Sequence, residues 1–75
     1  MSVTVRFFAS LREQVGRGET RVEAGDGSVP TLWQATTGRQ PDPHVRVAIN
    51  QQYADWDSPV ADGDEVAFFP PVTGG

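Results

Sequence analysis

Hydrophobic and polar residues alternate strictly near the start of the chain: Val3, Val5 and Phe7 fall on one face, Thr4, Arg6 and Phe8 on the other. A period of two is the mark of a β-strand with one buried face. The pattern then changes. Ser10-Leu11-Arg12-Glu13 has the spacing of a capping box, in which the Ser10 hydroxyl accepts from the Glu13 amide and the Glu13 carboxylate reaches back. Leu11 and Val15, four apart, predict a short helix with one buried stripe, and Gly16 suits the left-handed residue that ends it. Thr20-Arg21-Val22-Glu23 predicts a second short strand beside the first, and Asp26-Gly27 a turn. Ser28 is placed to cap a second helix, with Pro30 tolerated in its first turn. Val29, Leu32, Trp33 and Thr36 fall at i, i+3, i+4 and i+7, so that helix has one apolar face before Gly38 stops it.

A loop with two prolines covers Arg39 to His44, after which Val45–Ile49 alternates as a third strand. Asn50-Gln51 predicts a two-residue hairpin turn into Gln52-Tyr53-Ala54. Asp62-Gly63-Asp64 marks a further turn, and Glu65–Phe69 is a last strand halted by Pro70-Pro71. The order strand, helix, strand, helix, strand, strand, strand predicts an α+β layer architecture with the helices on one side of a mixed sheet of four to five strands. The first and last strands are the ones that need apolar neighbours on both flanks, so they belong in the centre, side by side and parallel. That arrangement is a β-grasp, or ubiquitin-like, fold. No linker or repeat divides the chain, which reads as one domain over residues 1–71 followed by a tail, 72–75.

Composition removes several kinds of chemistry. A domain of 75 residues buries only about 60% of its extended surface, a thin margin for stability. Disulfides or a structural metal often widen that margin, but there is no cysteine and a single histidine, His44, in a loop. Cysteine nucleophiles, persulfide carriers and iron–sulfur clusters are excluded with them. All six basic residues are arginine, so a Schiff-base lysine is excluded and no side-chain amine is open to acylation. A net charge of −4 speaks against nucleic acid or an anionic membrane as partner and for a basic protein surface. The Asp62, Asp64 and Glu65 group lacks the ligand ladder of a calcium loop and reads as a solvated turn; no metal site is expected. Met1–Ser10 has no unbroken apolar stretch of secretory length, and none elsewhere is long enough to span a bilayer, which predicts a cytoplasmic protein.

The chain closes on Val72-Thr73-Gly74-Gly75. The plain reading is a frayed end. The chemical reading is that glycines, lacking a β-carbon, enter channels too narrow for other residues. Pro70-Pro71 ends the strand, removes two amide donors and stiffens the exit. Four residues beyond it reach at most about 14 Å. A carboxylate at Gly75 would thereby be offered to another protein's active site. It resists nucleophiles until ATP converts it into an acyl-adenylate; sulfide then displaces the adenylate and leaves a thiocarboxylate. Nothing in this chain catalyses those steps, so it would be substrate and carrier, not an enzyme by itself.

A second candidate is a face. With the first and last strands adjacent, Phe8 and Phe69 point away from the core on the same side, and Tyr53 on a neighbouring strand joins them. Either local chain covers that face or it is an exposed aromatic anchor for a partner. Arg12, on the outer side of the first helix, is a further candidate contact. Trp33 and Trp56 read as core.

Phe7–Glu13, Val47–Gln51 and above all Asp62–Gly75 resemble the MoaD family, the small, sulfur-carrier subunits of molybdopterin synthase. The segment from Ala24 to His44 is more compact than that pattern. The resemblance implies a β-grasp fold, a thiocarboxylate on Gly75, and a tail of Val72, Thr73 and Gly74 that inserts into the large, MoaE-like subunit. There sulfur passes to cyclic pyranopterin monophosphate to build molybdopterin, in a heterotetramer whose catalytic residues lie on the large subunit. It also implies an E1-like, MoeB-like adenylyltransferase that uses ATP, and a sulfur donor such as a cysteine desulfurase or rhodanese, with no cofactor bound by the chain itself. Phe8, Phe69, Tyr53 and Arg12 are the expected partner contacts. Other readings are a ThiS-like thiazole carrier or another thiocarboxylate carrier, a ubiquitin-like protein modifier, and a plain β-grasp interaction domain.

Overall fold

A computed structural model describes residues 2–71. Its elements are β1 (Ser2–Phe7), α1 (Ser10–Val15), β2 (Glu19–Glu23), α2 (Val29–Thr37), β3 (Arg46–Ile49), β4 (Gln52–Ala54) and β5 (Glu65–Phe69). They form one five-stranded sheet in the order β2-β1-β5-β3-β4. β1 and β5 are central and parallel, with Val5 opposite Val66 and Phe7 opposite Phe68. The other pairings are antiparallel. This is the β-grasp arrangement that the alternating pattern predicts.

The reason lies in the inward faces. Val3, Val5 and Phe7 of β1 and Val66 and Phe68 of β5 are almost wholly removed from solvent, as is Val47 of β3. They meet Leu11 from α1 and Val29, Leu32 and Trp33 from α2 in a single cluster, so both helices cover the same side of the sheet. Aromatic rings fill its centre: Phe68 stacks on Phe7 at 5.9 Å and meets the edge of Trp33 at 4.9 Å. Offset and edge-on contacts of this kind suit the ring quadrupoles. Each indole N–H is satisfied on the spot, Trp33 donating to the Gln40 carbonyl and Trp56 to that of Val45. Trp33 is fully core, whereas Trp56 is a partly buried flank of it.

Caps and turns follow local chemistry with one exception. The Ser28 side chain accepts from the Thr31 amide, and Gly38 closes α2 in the left-handed region. Asn50 and Gln51 both have positive φ, as a tight turn compatible with the sheet's twist requires. The expected capping box at Ser10 and Glu13 does not form. Ser10 is already helical, and the N-cap is Ala9, with φ 53° and ψ −132° and no side-chain cap bond. The displacement comes from β1: the Phe8 amide still donates to Phe68 across the sheet, so the chain reverses at Ala9. The Phe8 and Ala9 carbonyls then accept from the Leu11 and Arg12 amides, so backbone rather than a side chain closes the first turn.

Candidate functional site

β5 ends at Phe69 in the middle of the sheet, so the chain leaves the domain from a central strand. Three features gather at that end. β1 runs parallel to β5 and delivers Phe8 there; β3 runs antiparallel and starts there with Arg46, the register partner of Phe69. β4 returns to the same end, placing Tyr53 opposite Ala48 and Ala48 opposite Ala67.

The result is an aromatic patch on the sheet face opposite both helices. Phe8 is 41% exposed and Tyr53 81%, the two large apolar side chains most open to solvent among the described residues. Phe69, half-buried, has its ring centroid 5.8 Å from that of Tyr53. Small residues make this possible: Ala67 and Ala48 lie side by side on the same face, where longer side chains would stand between the rings. Of the three expected residues, Phe69 and Tyr53 are in ring contact, whereas Phe8 lies against Arg6 toward β2.

Charge surrounds the rings. Arg6 sits with its guanidinium carbon 5.4 Å from the centre of the Phe8 ring. The same guanidinium is 3.4 Å from Glu19 on β2 and 3.6 Å from Glu65 on β5. Arg12 is exposed, as expected, and borders the Phe8 end of the patch. Its guanidinium occupies the space that a β-carbon at Gly18 would need, which would come within 2.9 Å of Nε. Arg6, Phe8, Ala9, Arg12, Gly18 and Glu19 line a cleft of about 420 Å³. Arg6 escaped the sequence reading, although its place two residues before Phe8 on the same strand face was a usable signal.

The acidic turn is structural. Asp62 accepts from the Ser2 amide, and Asp64 accepts from the Ala61 amide and the Asn50 side chain. Those two bonds to Asp64, the Ala61 amide first, hold its carboxyl below the ordinary value of 3.8. Among the described residues, no three His, Asp or Glu side chains converge into a metal-holding group. No helix among them is long and apolar enough to cross a membrane. Val72, Thr73, Gly74 and Gly75 lie outside the described residues.

Residues 5–75 match the ThiS family. This chain belongs to that family. It is 42% identical over 80 residues to the molybdopterin synthase sulfur carrier subunit of Escherichia coli K12, covering 97% of this chain and 99% of that one. Its fold matches the crystal structure of small archaeal modifier protein 1 from Haloferax volcanii with a TM-score of 0.77, at 30% identity over 95% of this chain and 98% of the other. It also matches, at TM-score 0.70 and 25% identity over the full length of both chains, a structure from Helicobacter pylori 26695 described as a protein–protein complex of subunits 1 and 2 of molybdopterin-converting factor. The fold assignment and the resemblance noted from the sequence agree with these likenesses.

Proposed function

We propose that the chain is the sulfur carrier subunit of a molybdopterin synthase. One observation carries the reading: in a chain 42% identical to such a carrier, the Phe8, Phe69 and Tyr53 patch lies at the end of the sheet from which Pro70-Pro71 lead to Gly74-Gly75. A partner seated on the patch lies beside Phe69, the last residue of β5.

The chemistry belongs to the terminus. An E1-like adenylyltransferase joins the Gly75 carboxylate to AMP, releasing pyrophosphate from ATP. The terminal sulfur of a persulfide on a desulfurase or rhodanese attacks the carbonyl carbon and AMP departs; a thiol then cleaves the S–S bond of the acyl persulfide, leaving the thiocarboxylate and a disulfide. Val72, Thr73 and Gly74 thread this group into a MoaE-like large subunit, where catalytic residues direct its sulfur to cyclic pyranopterin monophosphate and the Gly75 carboxylate is regenerated. The carrier binds no cofactor, and Arg12 adds a polar contact beside the patch. The setting is cytoplasmic, the compartment where its proposed partners would also work.

The test is a reconstitution. With ATP, a sulfur donor and the adenylyltransferase, the intact mass should rise by the exchange of one oxygen for sulfur. With the large subunit and pyranopterin precursor added, the mass should return and molybdopterin should appear. A chain that is thiolated but gives no molybdopterin would point to a thiazole or other carrier; no mass change would defeat the carrier reading.

The likeness to small archaeal modifier protein 1 favours a second reading, as a protein modifier. The same adenylate would then be attacked by a lysine of a target protein, forming an isopeptide and releasing AMP. The chain, having no lysine, could not receive a copy of itself on a side chain.

A further inference from the structure

We propose that Arg6 is a positioning residue that presets the Phe8 ring for docking, an inference that rests on the patch being the partner interface. Phe8 stands just past the end of β1, next to a backbone reversal, and is exposed to solvent. Left alone, such a ring samples several rotamers, and a partner must stop that motion when it binds. Arg6 supplies the restraint. It lies on the same face two residues earlier, and its guanidinium rests over the ring at 5.4 Å, the range of a cation–π contact. The guanidinium is itself held from two sides, by Glu19 on β2 and Glu65 on β5.

The brace therefore spans three adjacent strands, from Glu19 through Arg6 to Glu65, with Phe8 resting against it. With about 40% of its side chain exposed, Arg6 keeps its charge solvated while covering one face of the ring. Arg6 and Phe8 together line the cleft to which Arg12 and Gly18 also contribute. Two carboxylates flank the one guanidinium, leaving the cluster net negative, so the arginine serves the ring without presenting a positive charge to the partner. A merely structural ion pair would require the carboxylates alone; the ring contact is what ties Arg6 to binding.

A double-mutant cycle against the large subunit tests this. Phe8→Ala should weaken binding, and Arg6→Met should weaken it about two- to five-fold, the size of an exposed cation–π contact. In the Phe8→Ala background, Arg6→Met should cost nothing further. Arg6→Lys should recover part of the loss. In the free protein, the Arg6 side-chain protons should be shifted upfield by the Phe8 ring current, and Phe8→Ala should remove that shift. If Phe8→Ala leaves binding unchanged, the interface reading fails. If Phe8→Ala weakens binding but Arg6→Met costs the same with and without the ring, or the ring-current shift is absent, the positioning role is overturned while the interface stands. Urea midpoints of the free variants separate lost stability from lost docking.

Discussion

The rings of Tyr53 and Phe69 meet at 5.8 Å although an entire strand, β3, separates their own strands. They reach across Ala48, whose methyl group leaves room above the sheet. The pair is consequently a raised bar of aromatic surface rather than two isolated side chains. Phe69→Ala should remove its centre and weaken large-subunit binding by about 2 kcal/mol or more. The urea midpoint should move little, because the ring is only half-buried. Isothermal titration with the large subunit measures the first, and denaturation of the free variant the second; unchanged affinity would show that the partner docks elsewhere.

Deletion of Gly75 should abolish thiocarboxylate formation and leave the domain folded, since the described residues of the sheet and helices already close the core cluster. Intact mass after incubation with ATP and the adenylyltransferase reads the first, and circular dichroism the second. A shortened chain that still supports sulfur transfer would remove Gly75 from the chemistry.

Phe68→Ala should cost about 3–5 kcal/mol, the usual loss for a large aromatic removed from a close-packed core. Its ring contacts Phe7, Trp33 and Trp56 at once. Typical total stability is about 5–15 kcal/mol, and a domain this small should lie near the bottom of that range, so the variant should be largely unfolded at low urea. Trp fluorescence during urea titration follows the change directly.

Gln51→Gly should stabilise the protein by up to about 1 kcal/mol. Gln51 holds φ at 68°, a region that costs a residue with a β-carbon about 1–2 kcal/mol, and glycine's greater freedom when unfolded offsets only part of the relief. Asn50 before it should be kept, because its side chain links Asp64 and the Glu65 amide. A lower urea midpoint for Gln51→Gly would contradict this account of the turn.

Stability should fall in acid through Asp64. Its folded value lies below the ordinary 3.8, so it binds a proton less readily when folded than when unfolded. Its contribution is complete above the ordinary value and fades as the pH drops through that value toward the lowered one. Urea midpoints between about pH 6 and pH 2 should decline most below about pH 4, and Asp64→Asn should flatten that decline. An equally steep decline in the variant would assign it to other carboxylates.

Much of this was legible because the sheet is buried on one face only. The alternation in β1 and β5 separates Phe7 from Phe8 and Phe68 from Phe69, and a one-residue slip would exchange core and patch. Positions set by long-range geometry were harder to read. Ser10 and Glu13 satisfy a capping pattern, yet pairing between Phe8 and Phe68 moves the reversal to Ala9 and leaves the hydroxyl with no capping duty. Arg6 looked like an ordinary outward residue because its importance comes from Glu19 and Glu65, partners thirteen and fifty-nine positions away.

The parallel contact between β1 and β5 also has a mechanical meaning. Their hydrogen bonds run side by side along both strands, from Thr4 and Glu65 to Phe7 and Phe68. Traction on the chain end, resisted at the beginning of β1, would strain these bonds together in shear instead of unzipping them one by one. Any pull on the chain beyond Phe69 would therefore load the strand moored on both sides, and the domain would resist it as a unit.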